Sequence, residues 1–260
     1  MTTLDQHQSG EFVKLLYVGV SGSGKTGSLV SLMPSYDLRI IDMDNGLDAL
    51  VNHARVECPN RLASVEFETL RDKYKATPAG PKVSGVPRAF VSAINLLDKW
   101  SDGSKPEEWG PEKILVIDSL TALGKAAFEW AVAQNPTSRD PRQWYKGAQD
   151  VIDNVIATIT SEIFRTNVIV CTHIDLVESE GGATKGYASA IGKALGPKLP
   201  RYFNTMLLAE TSGFGKGVRR RIKTIPTAML DLKNPAPMKI EAEYPLETGL
   251  AEIFKKLKGV

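Results

Sequence analysis

Short apolar runs alternate with stretches of helical periodicity along most of the chain. Strand-type runs fall at Phe12–Val18, Leu38–Asp42, Ser64–Thr69, Ile114–Asp118, Asn167–Thr172, Thr205–Ala209 and Val218–Thr224. In the third, Val65 and Phe67 alternate with Glu66 and Glu68, so one face meets water and the strand belongs near a sheet edge. Helical spacing marks Gly27–Met33 and Arg88–Trp100, the latter with Phe90, Val91, Ile94, Leu97 and Trp100 on one face. It continues over Ser119–Gln134, Pro141–Phe164 and Thr248–Leu257, with Pro136 and the polar Thr137–Asp140 stretch parting the two long helices. Strands that alternate with helices in this way predict an α/β fold, a mostly parallel central sheet flanked by helices, with antiparallel strands at the C-terminal end. Arg71–Pro87 reads as a surface loop, and the glycine-rich, aperiodic Gly181–Pro200 as a long mobile one.

At 260 residues, 42% apolar and 24% charged, the chain has the make-up of one large globular domain. The expected organisation is a flexible start over 1–11, a core over 12–225, and an extension over 226–260 packing on the core or on a neighbouring subunit. No run of 18 apolar residues predicts a membrane span. Met1–Glu11 lacks the apolar stretch of a signal peptide, and Cys58 and Cys171 have no metal-ligand spacing, so a reducing, cytoplasmic setting is expected. The net charge of +2 is uneven. Gly181–Val260 holds 14 basic and 6 acidic residues, a balance of +8, which leaves −6 for the first 180. A basic C-terminal third fits a polyanionic partner or a solvated basic face equally well.

Chemistry enters at Gly19–Thr26, Gly-Val-Ser-Gly-Ser-Gly-Lys-Thr, a complete G-x-x-x-x-G-K-T loop directly after the first strand. Gly19, Gly22 and Gly24 let the backbone of Ser21 to Thr26, Ser23 included, curl its amides around phosphate oxygens. Lys25 brings a charge to the outer phosphates, Thr26 a hydroxyl to Mg2+, and the following helix its N-terminus. ATP with Mg2+ is the expected ligand. The strand Ile114–Asp118 ends in a carboxylate, as the metal side of such a site requires, so Asp118 joins Thr26 in holding Mg2+.

Ile40-Ile41-Asp42-Met43-Asp44-Asn45-Gly46-Leu47-Asp48 follows the loop helix, and Val116-Ile117-Asp118-Ser119 comes later. This order resembles the RecA-like ATPases, whose bacterial RecA reads I-D-A-E-H-A-L-D against I-D-M-D-N-G-L-D here. The resemblance implies that Asp44 is the carboxylate activating water; Asp42, or a purely turn-forming role, is the alternative. Asp is one methylene shorter than the usual Glu, which implies slow turnover or closure by a neighbour. His173, at the end of Asn167–Thr172, matches the family's phosphate sensor. The loop after it, Glu178–Gly196, matches the segment that contacts single-stranded DNA, with Lys185, Tyr187 and Lys193 as its candidates. In Lys216–Lys223, Arg219 and Arg221 face one way and Arg220 the other. Arg219 and Arg220 are DNA candidates, and Lys216, Arg221, Lys223 and Lys233 are candidates for a finger reaching a neighbour's site; a charged edge strand is the plain alternative.

Over Phe12–Lys223 the arrangement is similar to the small single-domain RecA-like ATPases of bacteriophages, which assist single-strand annealing and recombination. That resemblance implies a DNA-stimulated ATPase assembling as a ring or filament on single strands, with a single-strand-binding protein or a nuclease as a further partner. A nucleotide-gated binding module with little turnover, or a hexameric DNA motor, are the other readings.

Overall fold

The computed structural model describes residues 11–259, apart from 79, 139, 179–181, 183 and 214. The expectation for residues 1–11 therefore lies almost wholly outside the described residues. In chain order the strands are β1 (Lys14–Val18), β2 (Asp37–Asp42), β3 (Val65–Thr69), β4 (Tyr74–Lys75), β5 (Lys82–Val83), β6 (Gly110–Asp118), β7 (Thr166–Thr172), β8 (Ile174–Glu178), β9 (Thr184–Ala188), β10 (Thr205–Ser212), β11 (Arg219–Lys223) and β12 (Glu243–Pro245). The helices are α1 (Lys25–Ser28), α2 (Asp48–Glu57), α3 (Ala89–Asp98), α4 (Leu120–Gln134), α5 (Pro141–Thr160), α6 (Gly192–Leu195) and α7 (Leu246–Lys258).

Eight strands form one sheet in the order β12-β11-β10-β1-β7-β6-β2-β3. From β3 to β10 every pairing is parallel, and β11 and β12 close the far edge antiparallel. This is the α/β architecture that the sequence predicts, with β3 at an edge. The central strands bury both faces, which is why they read as continuous apolar runs. Leu16, Val18, Leu115, Ile117, Val168 and Val170 face α3, α4 and α5. Their neighbours Leu15, Tyr17, Ile114, Val116, Ile169 and Cys171 face α2 and α7. All carboxyl ends of the parallel strands therefore emerge on one rim, where ligands of such sheets bind.

Several expectations need correction. The helix expected at Gly27–Met33 is a single α-turn followed by a 3-10 turn at Leu29–Leu32. The hydroxyls of Ser28 and Ser31 donate to carbonyls three residues back, Lys25 and Ser28, which favours the tighter winding. The helix expected to reach Phe164 stops at Thr160, where the Thr160 hydroxyl bonds back to the Ile156 carbonyl at 2.6 Å. Gly181–Pro200 is not a long loop, although residues 181 and 183 lie outside the described residues. It supplies β9, which pairs with β8 as a hairpin, then α6 and a 3-10 turn at Gly196–Arg201, all anchored by buried Ala188, Leu195 and Leu199. Arg71–Pro87 carries the small β4–β5 hairpin, and Asp72 caps α3 by accepting from the amides of Arg88 and Ala89. Within the extension, β12 pairs with β11 and α7 buries Leu250, Ile253 and Phe254 on the core.

One buried cation ties the lower rim together. The Lys14 ammonium donates to the carbonyls of Ile159, Phe164 and Thr166 at 3.0, 2.6 and 2.8 Å, three acceptors for its three protons. Lys14→Met leaves those buried carbonyls without their donor, and should cost about 2–4 kcal/mol in urea denaturation. A loss within ~0.5 kcal/mol would show that water replaces the ammonium.

Candidate nucleotide site

The loop between β1 and α1 is shaped by two close approaches. A Cβ on Gly19 would lie 2.7 Å from the Ala209 carbonyl and 2.6 Å from Ser23 Oγ, because the loop folds down onto β10. Gly24 has φ 94°, and a Cβ there would collide with Leu246 at the start of α7. The Ser23 amide turns inward to the Val20 carbonyl at 3.2 Å. The amides of Gly22, Gly24, Lys25 and Thr26 meet no acceptor among the described residues. These amides form a nest suited to an anion. The Lys25 ammonium sits on the loop itself, donating to the carbonyls of Gly19 and Val20 at 2.7 and 3.1 Å. Burial lowers its pKa.

The loop opens on a cleft of about 550 Å³, a size that suits a nucleotide. The Thr26 hydroxyl donates to Asp118 Oδ2 at 2.6 Å, so the two groups expected to share a divalent cation already touch. Burial pushes the Asp118 carboxyl up to about 6; the Thr26 bond and the Lys25 charge oppose the shift, while Asp44 and Asp42 add to it. An oxygen pair of this kind suits a hard cation such as Mg2+. Asp118 is followed by a cis peptide, and Ser119 then caps α4 by accepting from the Ala122 amide.

Asp44 also lines the cleft, exposed on the turn after β2. Asp42 is differently committed. It is buried, with Oδ1 accepting from the Gly46 amide at 3.2 Å and Oδ2 from the Thr69 hydroxyl at 2.8 Å. Asn45, at φ 55°, completes the turn that raises Asp44 toward the loop. His173 faces the same cleft from the end of β7. Its amide donates to Thr121 Oγ1 at 3.2 Å, and its carbonyl accepts from the Ser189 amide at 2.8 Å. Thr172 also bonds through its hydroxyl to the Ser189 carbonyl. The strand end is thus stitched to α4 on one side and to the base of the β8–β9 hairpin on the other.

The remaining cations scatter. Lys185 is paired with Asp231 at 2.6 Å, Tyr187 is half-buried, and Lys193 and Arg219 are exposed. Arg221 is paired with Glu243, Lys223 with Glu210 at 2.9 Å, and Lys233 donates to the Phe203 carbonyl at 2.6 Å. The Lys216 side chain lies outside the described part of the structure. Arg220 alone of these groups lines the cleft. Two further walls were not expected from the sequence: α2, whose Ala49, His53 and Glu57 line the cleft one turn apart, and Leu246 with Glu247. Apolar Leu50, Val51 and Ala54 at helical spacing were a signal for α2; nothing local marks Leu246.

A phosphate loop at the carboxyl rim of a parallel sheet, with a strand-end carboxylate on its threonine, defines a P-loop ATPase domain. The chain belongs to the family described as "AAA domain", whose match spans residues 11–236. No curated protein sequence matches it. Similar solved structures include the KaiC-like protein PH0186 from Pyrococcus horikoshii, at 11% identity over 83% of this chain and 78% of that one, with a TM-score of 0.40. The flagellar accessory protein FlaH from Methanocaldococcus jannaschii is another, at 9% identity over 93% and 88%, with a TM-score of 0.42. Among the described residues no helix is long and apolar enough to cross a membrane.

Proposed function

We propose that this chain is a Mg2+-dependent RecA-like ATPase whose turnover responds to single-stranded DNA. The observation that carries the reading is the convergence of Lys25, Thr26, Asp118, Asp44 and His173 on one cleft. Thr26 and Asp118 would hold Mg2+, which when bound would neutralise charge on the phosphates. The loop amides and Lys25 seat the polyphosphate, Lys25 exchanging its loop carbonyls for phosphate oxygens. Asp44 accepts the proton of the attacking water, and His173 donates to the terminal phosphate.

The backbone bond from Ser189 to His173 and the Thr172 hydroxyl bond to Ser189 support coupling between that phosphate and the β8–β9 hairpin. We assign DNA contact to this hairpin, the following Lys193 and the exposed Arg219, with sequence-tolerant backbone tracking. Assembly as a ring or filament on single strands, in phage recombination or annealing, completes the proposal. Steady-state ATPase assays test it. Single-stranded DNA should raise turnover several-fold, and Lys25→Ala should lower it by about 10²-fold or more. Turnover indifferent to DNA would remove the DNA reading; turnover indifferent to Lys25→Ala would remove the ATPase.

A further inference from the structure

The cations of β11 divide by partner and by face. Arg221 and Lys223 are held by Glu243 and Glu210. Arg219 and Arg220 pair with no carboxylate among the described residues. Strand alternation then separates these two. Ile222 is fully buried, opposite Tyr244 and against α7. Arg220 shares that face but lies beyond the end of the core, on the rim of the phosphate loop. Its Cδ is 3.4 Å from the point a Cβ on Gly24 would occupy, and Leu246 crowds the same point. The stem therefore runs over the phosphate loop of its own chain, beside the first residue of α7, and Arg220 opens into the cleft with Lys25.

Charge makes this placement consequential. The cleft is lined by four carboxylates, Asp44, Glu57, Asp118 and Glu247, against Lys25 and Arg220 as its fixed cations. A nucleoside triphosphate brings several further negative charges, of which a divalent cation offsets only part. Lys25 alone is outnumbered. A guanidinium adds a charge that stays protonated and a planar fork that matches two phosphate oxygens at once.

Resting on the ATPase reading above, we propose that Arg220 is a phosphate-binding residue acting in cis: β11 delivers its guanidinium to the polyphosphate held by the loop of the same chain. Arg220 is then neither a DNA contact nor a finger for a neighbouring subunit.

The test measures binding of a fluorescent ATP analogue and ATP turnover in full-length chains. Wild type must bind and hydrolyse ATP; if it does neither, the ATPase reading itself falls. Given that, Arg220→Ala should weaken analogue binding by about tenfold or more, and Arg220→Lys should recover part of the loss. Thermal unfolding of both variants without nucleotide should match wild type, since the side chain is exposed. Arg220→Ala is then mixed with Lys25→Ala over a range of ratios. A cis residue predicts turnover no higher than the sum of the two variants, because no chain holds both groups. Recovery on mixing would overturn the proposal in favour of action across a subunit boundary. Unchanged ATP binding with loss only of the response to single-stranded DNA would overturn it in favour of a DNA contact.

Discussion

Asp118→Asn should stop hydrolysis while making the nucleotide-free protein more stable. The first effect follows from the loss of an anionic oxygen beside Thr26, and a fall in kcat of about 10³-fold or more is expected at saturating Mg2+. The second follows from burial. Asp118 is 5% exposed, and its carboxyl is pushed from 3.8 to about 6. A carboxyl whose folded pKa lies above its unfolded one binds more protons in the folded state between those values, so stability falls as pH rises through that window. Above about pH 6 the folded chain therefore carries the cost of a buried carboxylate, about 1–3 kcal/mol from a shift of this size. Asparagine can still accept the Thr26 hydroxyl bond and removes that cost. Denaturation at pH 7.5 should show the variant more stable than wild type, with the gain shrinking toward pH 4. An equal or lower stability at pH 7.5 would mean the site tolerates the anion without penalty, and that Asp118 is not poised for a cation.

The same residue shows why much of the candidate site could be proposed beforehand. A loop motif fixes its own geometry through backbone amides and glycine, and an apolar strand ending in Asp has one plausible place in a parallel sheet. Lys25, Thr26 and Asp118 could therefore be named from spacing alone. Arg220 could not. Its place depends on β11 running antiparallel beside β10, on the register that sets Arg220 against Thr211, and on α7 covering the strand. None of that is local to the Lys216–Lys223 segment, which offered several cations and no means of ranking them. The Gly181–Pro200 stretch failed for a related reason. Its glycines suggested mobility, yet Gly186 lies under the Ile174 side chain and Gly196 against the Ala188 carbonyl, and the apolar anchors Ala188, Leu195 and Leu199 are too sparse to show a period. Helix α2 is amphipathic but short, and the turn residues before it masked its start.

Asp44→Asn should lower kcat by about 10²–10⁴-fold, with ATP affinity held within a few-fold, because the role proposed for it is to take a proton in the reaction and not to bind phosphate before it. The control lies two residues upstream. Both oxygens of Asp42 are occupied, by the Gly46 amide and the Thr69 hydroxyl, so Asp42→Asn should loosen the turn and the β3 edge and appear first as lost thermal stability. The pair thus separates chemistry from scaffolding on one strand end. The length of Asp44 provides the sharper measurement. If a missing methylene limits reach to the attacking water, Asp44→Glu should raise turnover, by up to about tenfold, without changing the response to Mg2+. A slower Asp44→Glu would mean that the turn built by Asp42, Asn45 and Gly46 already holds the shorter carboxylate at its working distance. Full turnover in Asp44→Asn would remove Asp44 from the reaction and turn the search for the base to the other cleft groups, Glu247 and His173.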